Sequence, residues 1–280
     1  MKKKERTGRV MTAGEIAAAA GGRILAGDGE KKVGRIVLDS RKAGEGDLFV
    51  PIIGEKVDAH RFLRQVCEAG AAAVFTSEHK EEDLAGEPAD GTAWIQVDDT
   101  RDGLQRLGAW CRSQRSIPVV GVTGSVGKTT TREMIAAALE AGFQVYKTPG
   151  NSNSQVGVPI TMWDIAPEDE IAVIELGMSE PGELTKIAKV ARPTMAVITN
   201  IGIAHIEQLG SRENILKEKL TIQDGMEAGG ILLLNGDDDL LSRTTAREGI
   251  STVYYGIGEN CQYRAEEVSM EDGRAVCTAV

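Results

Sequence analysis

The chain has 280 residues, 26% charged and 41% hydrophobic, with 32 basic against 42 acidic side chains and a net charge of −10. This length suits about two domains and a core large enough to fold without metal or disulfide staples. The acidic balance argues against a general nucleic-acid partner, which calls for a basic surface. No run approaches the ~20 apolar residues that span a bilayer. The basic start at 1–6 leads into a stretch broken by Glu15, Gly21, Gly22 and Arg23, not into the apolar core of a signal peptide. Residues 2–4 read as a solvated tail. Cys67, Cys111, Cys261 and Cys277 are scattered, with no Cys-x-x-Cys spacing, and read as reduced thiols. A cytoplasmic protein without membrane insertion is expected.

In chain order, 12–20 predicts a short Ala-rich helix with Thr12 as N-cap. Short apolar runs at 35–38, 47–53, 72–75 and 93–97 predict strands, and 59–69 a helix with Phe62, Leu63 and Val66 on one face. The charged, Gly- and Pro-containing 77–91 reads as an exposed loop. These elements form a small N-terminal α/β domain, 1–100, and a helix at 101–116 leads into a second domain, 101–280. There, predicted strands at 118–122, 171–176, 195–199, 230–234 and 252–255 alternate with helices at 128–141, 182–189 and 212–223. Near-continuous apolar strands alternating with helices predict a mostly parallel sheet covered on both faces, so the fold class is α/β. The segments 263–269 and 275–280 alternate around Glu271-Asp272-Gly273 and predict a hairpin. The sequence stops on its second strand, which reads as a truncated chain.

The most informative segment is Gly121-Val122-Thr123-Gly124-Ser125-Val126-Gly127-Lys128-Thr129-Thr130, between a predicted strand and a predicted helix. Glycines let several N–H groups face one point, and the helix N-terminus adds partial positive charge there. Lys128 supplies a full charge for the β- and γ-phosphates and Thr129 a hydroxyl for Mg²⁺. The strict P-loop has Gly at the position of Val122; here Gly124 stands three before Gly127 instead. A P-loop implies a nucleoside triphosphate and Mg²⁺ without fixing the reaction. Glu175 closes one predicted strand and His205 follows another, where open α/β sheets gather ligands. A helix cap for Glu175 and a structural role for His205 are the alternatives.

These residues, in this order, resemble the ATP-dependent Mur ligases of peptidoglycan synthesis. Thr123-Gly124-Ser125-Val126-Gly127-Lys128-Thr129-Thr130 is similar to that family's phosphate loop. Ser125 and the stretch Thr148-Pro149-Gly150-Asn151-Ser152-Asn153-Ser154-Gln155-Val156-Gly157-Val158-Pro159 point to the branch that adds D-alanyl-D-alanine to UDP-N-acetylmuramoyl-tripeptide. Glu175-Leu176-Gly177-Met178, Pro181-Gly182-Glu183-Leu184, Thr199-Asn200-Ile201-Gly202-Ile203-Ala204-His205 and Leu234-Asn235-Gly236-Asp237-Asp238 continue the match. Asp39-Ser40-Arg41 and Gly46-Asp47-Leu48-Phe49-Val50-Pro51 resemble the part that holds the UDP moiety.

The resemblance implies an acyl-phosphate ligase using ATP and Mg²⁺, monomeric, with UDP-N-acetylmuramoyl-tripeptide and D-alanyl-D-alanine as partners. It implies that Gly124, Ser125, Gly127, Lys128, Thr129, Thr130 and Asn235 hold ATP. Thr129 and Glu175 would bind one Mg²⁺ and His205 a second. Asn151 and Asn153 would orient the peptidyl substrate, and Ser40 and Arg41 would grip the uridine nucleotide. Lys219 aligns with a family lysine that, once carbamylated, binds Mg²⁺; Lys217 is the alternative. Lys128, His205 and Lys219 are thus the implied catalytic residues. Three departures stand out: Thr221 where the family has Glu, Asp58-Ala59-His60 where Asp-Gly-His is usual, and no third, C-terminal Rossmann-like domain. A non-catalytic homologue binding UDP-precursor or ATP, or another Mur-type amino-acid ligase, is the competing expectation.

Overall fold

The structure, a computed structural model, describes residues 7–84 and 91–280. The expected tail at 2–4 and residues 85–90 of the expected loop lie outside the described residues. The chain divides into two compact units: the described residues of Met1–Arg115 with Gln155–Glu168, and Ser116–Ser154 with Asp169–Val280. The first unit thus extends past the expected boundary at 100 and reclaims a later segment.

In the first unit a two-stranded ribbon, β1 (Met11–Thr12) with β3 (Lys32–Val33), flanks helix α1 (Ala13–Ala20). The Thr12 hydroxyl accepts from the Glu15 N–H while Glu15 accepts from the Thr12 N–H, a reciprocal cap that fixes where α1 begins. A five-stranded sheet runs β2 (Arg23–Ala26), β7 (Ala93–Gln96), β6 (Ala73–Thr76), β5 (Asp47–Phe49), β4 (Arg35–Val37), parallel except for the β2 edge. Helix α2 (Leu63–Glu68) contributes Leu63 and Val66 to a core with Phe49, Val74 and Trp94. The expected helix at 59–69 is therefore real, but its first turn, Ala59–Phe62, is 3₁₀.

His60 is buried there. Its Nδ1 lies 2.7 Å from Asp58, and its Nε2 accepts from the Ser77 N–H at 3.2 Å. Ala59 is not among the residues with positive φ, so the missing glycine of the Asp-Gly-His pattern costs no strain. Helix α3 (Thr100–Ser113) packs against α5 (Gly157–Asp164) so closely that a Cβ on Gly108 would lie 2.6 Å from Pro159 Cα. This packing explains why 155–168 belongs with the first unit.

The second unit is built on eight strands in the order β15 (Arg274–Ala279), β14 (Tyr263–Glu271), β13 (Ser251–Gly256), β12 (Ile231–Asn235), β11 (Met195–Ile198), β8 (Val119–Thr123), β10 (Ile171–Glu175), β9 (Val145–Lys147). All neighbours are parallel except the terminal hairpin of β14 and β15. On one face Val120, Val122, Val173 and Val197 pack under Ala136 of α4 (Lys128–Leu139). On the other, Gly121 admits Leu176 and Ile222. Helices α6 (Glu183–Ala191), α7 (Ile206–Leu209) and α8 (Arg212–Leu220) complete the unit. The hairpin turns on Asp272 and Gly273, both at positive φ, and every residue of β15 is exposed. Among the described residues no helix is long and apolar enough to cross a membrane.

Candidate functional site

The loop 124–127 leaves the carboxyl end of β8 and opens α4. Two of its glycines are required by geometry. Gly127 sits at φ 80°, and a Cβ on Gly124, at φ 149°, would lie 1.8 Å from the Thr199 hydroxyl. The loop is pinned to the end of β11: the Ser125 N–H donates to the Asn200 carbonyl and the Val126 N–H to the Asn200 side chain, each at 3.1 Å. The Gly202 N–H donates to Ser125 Oγ at 2.9 Å, and Thr199 Oγ1 donates to the Val126 carbonyl at 2.6 Å. Lys128 Nζ folds over the loop and donates to the Gly124 carbonyl at 2.9 Å. Burial lowers the Lys128 pKa, with Glu175 opposing.

Glu175, at the end of β10 and only 2% exposed, gathers three donors. Thr129 Oγ1 lies at 2.9 Å, Asn153 Nδ2 at 2.7 Å and Arg132 Nη1 at 3.3 Å. The backbone N–H of Glu175 donates to Thr148 Oγ1 at 2.9 Å. Arg132 also donates to the Gly150 carbonyl at 2.8 Å and pairs with Glu133, which reaches Lys147. A cavity of about 420 Å³ is lined by Gly127, Lys128, Thr129, Thr130, Asn151, Asn153 and Glu175. A second, about 210 Å³, is lined by Lys128, Asn153, Ser154, Gly177, Met178, Ser179, Glu183 and His205. His205 is exposed, at φ 64°.

Lys219 separates clearly from Lys217. Lys217 is exposed, whereas Lys219 is 2% exposed and its amine has no hydrogen-bond or ion-pair partner among the described residues. Burial, reinforced by the charge on Lys128 and opposed by Glu218, brings its pKa down to about 7. Thr221 does not reach toward the cavities; its hydroxyl donates to the Glu218 carbonyl at 2.7 Å. Asn235 spends its amide on the backbone, donating to the Thr199 carbonyl at 3.0 Å and accepting from the Asp237 N–H at 3.0 Å.

The first-unit residues are arranged differently. Asp39 caps the 3₁₀ turn Ser40–Lys42, accepting the Arg41 N–H. The exposed Arg41 guanidinium lies forked on the same carboxylate at 2.8 and 2.7 Å. That pairing draws the Asp39 pKa down to about 2. The fork expected for a phosphate is thus turned onto an acid of its own turn, and Ser40 stands beside it.

Of the expected set, Gly127, Lys128, Thr129, Thr130, Asn151, Asn153, Glu175 and His205 line these two adjoining cavities, and Gly124 and Ser125 build the loop above them. Arg132, Asn200 and Glu218 were missed. The signal for Arg132 was its place one helical turn beyond Lys128 and Thr129, on the same face of α4.

The sequence matches the Mur ligase middle domain over residues 122–279 and the domain described as Mur ligase family, catalytic domain over residues 32–110. It is 40% identical over 237 residues to the UDP-N-acetylmuramoyl-tripeptide–D-alanyl-D-alanine ligase of Bacillus subtilis, covering 85% of this chain and 50% of that one. The Escherichia coli protein of the same name is 38% identical over 204 residues, covering 73% and 43%. Among solved structures, MurF from Acinetobacter baumannii superposes with a TM-score of 0.86 at 31% identity, over 97% of this chain and 58% of that one. MurF from Thermotoga maritima in complex with ADP gives 0.76 at 31%, over 88% and 55%. The chain spans about half the length of the curated relatives it matches. With both of its parts matched in order, the chain belongs to the Mur ligase family.

Proposed function

We propose that the chain acts in peptidoglycan precursor synthesis as an ATP-dependent amide ligase, joining D-alanyl-D-alanine to UDP-N-acetylmuramoyl-tripeptide. The observation that carries this reading is the convergence of Lys128, Thr129, Asn153 and Glu175 on one cavity at the carboxyl ends of parallel strands. The enzyme is read as monomeric and cytoplasmic.

An oxygen of the tripeptide's terminal carboxylate attacks the γ-phosphorus of ATP, and ADP leaves. The dipeptide amine then attacks the acyl phosphate carbon, and phosphate departs from the tetrahedral intermediate. Positioning and charge neutralisation carry the phosphoryl step. Lys128 and the N–H groups at the start of α4 hold the ATP phosphates, those of Ser125 and Val126 being taken up by Asn200; Thr130 borders them, and Asn235 holds the strand end near the base. Asn151 and Asn153 orient the peptidyl carboxylate.

The hydroxyl of Thr129 and the carboxylate of Glu175 are hard oxygen donors that suit Mg²⁺. When bound, Mg²⁺ draws charge off the phosphate oxygens. His205, with Lys219 as its carbamate, would serve a second ion. An amine titrating at about 7 is partly neutral at physiological pH, the form that takes up CO₂. Ser40 and Arg41 grip the uridine diphosphate, with Arg41 exchanging the Asp39 carboxylate for a phosphate.

The test is phosphate release from ATP with Mg²⁺ and UDP-N-acetylmuramoyl-tripeptide, with and without D-alanyl-D-alanine. Release that needs both substrates and vanishes in Lys128→Ala is expected. Precursor binding without release would contradict the ligase and leave a nucleotide-binding homologue.

A further inference from the structure

We propose that Glu218 is a positioning residue for the acceptor side of the cavity lined by Lys128 and His205; this rests on the ligase reading above. Glu218 lies on α8, is 9% exposed, and reaches back 36 residues in sequence. Its two carboxylate oxygens accept the Gly182 N–H at 2.9 and 3.0 Å, and one of them accepts the Leu184 N–H at 3.3 Å.

These N–H groups belong to the start of α6, whose N-cap, Gly182 at φ 82°, has no side chain to satisfy them. Glu218 is therefore the cap of α6, supplied by another helix, with its charge placed where the helix dipole favours it. The turn before α6 is closed from inside by Glu183, which accepts the Ser179 N–H at 2.7 Å and the Glu180 N–H at 3.1 Å.

Ser179 and Glu183 form one wall of the cavity whose other lining residues include Lys128, Asn153 and His205. Glu218 thus sets where that wall stands. Its neighbour on α8 is Lys219, so one helix fixes both the wall and the buried amine. The part of the ligand that fits beyond the phosphates, beside Asn153 and His205, is the carboxylate end of the peptidyl precursor. Glu218 therefore affects that ligand and not the nucleotide, whose loop is pinned independently by Thr199 and Asn200.

The experiment compares the full chain with Glu218→Ala and Glu218→Gln. Calorimetry measures Mg²⁺·AMP-PNP binding, then UDP-N-acetylmuramoyl-tripeptide binding to the nucleotide complex. Hydrogen exchange follows residues 179–184. Glu218→Ala, which frees the Gly182 and Leu184 N–H groups and with them the wall, is expected to weaken the precursor about tenfold and to speed exchange at Gly182 and Leu184. Nucleotide affinity stays within about twofold, since its contacts lie elsewhere. Glu218→Gln keeps an acceptor oxygen and recovers most of the precursor affinity, which also guards against a misfolded alanine variant. Precursor affinity unchanged in Glu218→Ala, or nucleotide and precursor weakened alike, would overturn the assignment. A wild-type chain that binds neither ligand would instead refute the ligase reading, and this inference with it.

Discussion

Two of the turns that leave the carboxyl ends of parallel strands in this molecule are built on opposite plans. The turn 124–127 after β8 is held by Thr199, Asn200 and Gly202, more than 70 residues away in sequence. The acid beneath it, Glu175, draws donors from α4 and from the segment after β9. The turn 39–42 after β4 is held by its own neighbours, with Asp39 serving both as cap and as ion partner of Arg41. Long-range packing gives the first a shape set before any ligand arrives, the condition for electrostatic preorganisation. A local, solvent-exposed ion pair is weak and screened, so the second can surrender Arg41 to a competing phosphate.

The largest effect is expected at Gly124. In Gly124→Ala the new Cβ meets Thr199 on backbone that an L-residue rarely adopts. Strain and overpacking together cost about 2–5 kcal/mol, visible as a lower urea midpoint, and nucleotide binding is lost with the loop's shape. A variant that keeps both would show the loop to be less preorganised than its contacts imply.

Next is Lys219. Its pKa falls from the ordinary 10.5 to about 7 in the folded chain, so between those values the unfolded chain binds the extra proton. Stability should therefore rise as pH increases from about 7 toward 10.5, and the penalty for burying the ammonium is full below about 7. Lys219→Met removes this slope. Relative to wild type it gains most at mildly acid pH and least at high pH, measured by denaturant unfolding across the range. A wild-type profile parallel to that of the variant would show the amine to be solvated.

The smallest effect is expected in the first unit. Asp39→Asn frees Arg41 while leaving folding stability nearly unchanged, because the pair is exposed. UDP affinity should rise modestly at low salt, and the gain should fade as salt is added. The Asp39 carboxylate stays ionised down to about pH 2, so this pair adds no pH dependence to UDP binding near neutrality. Weaker UDP binding in Asp39→Asn would show that the turn's shape, and not the release of Arg41, governs the site.

Much of this was legible in the sequence because it is local. The strand, glycines, lysine and threonines of the phosphate loop are contiguous, and the rule that ligands gather at strand carboxyl ends pointed to Glu175 and His205. Thr12 announced α1 as its N-cap, and the structure closes that cap with Glu15, three residues on. The remainder depends on partners distant in sequence. Arg132 and Glu218 are buried charges: besides its neighbour Glu133, Arg132 reaches acceptors 18 and 43 residues away, and Glu218 takes donors 34 and 36 residues away, and no spacing rule connects those distant partners. The resemblance alone put Lys219 ahead of Lys217; the burial that separates the two on one helix depends on the fold. Strand β9 was passed over because it is three residues long, and α5 because it is buried on nearly every side and shows no amphipathic period.

The proposed nucleotide site is assembled in advance of its ligand. This is tested most directly by calorimetric titration of Mg²⁺·AMP-PNP into the chain without any precursor, beside Lys128→Ala. Saturable binding by the wild type, at least about tenfold weaker in Lys128→Ala for the loss of a charged phosphate contact, is the predicted result. Binding that appears only after precursor is added, or equal affinity in the two proteins, would contradict it.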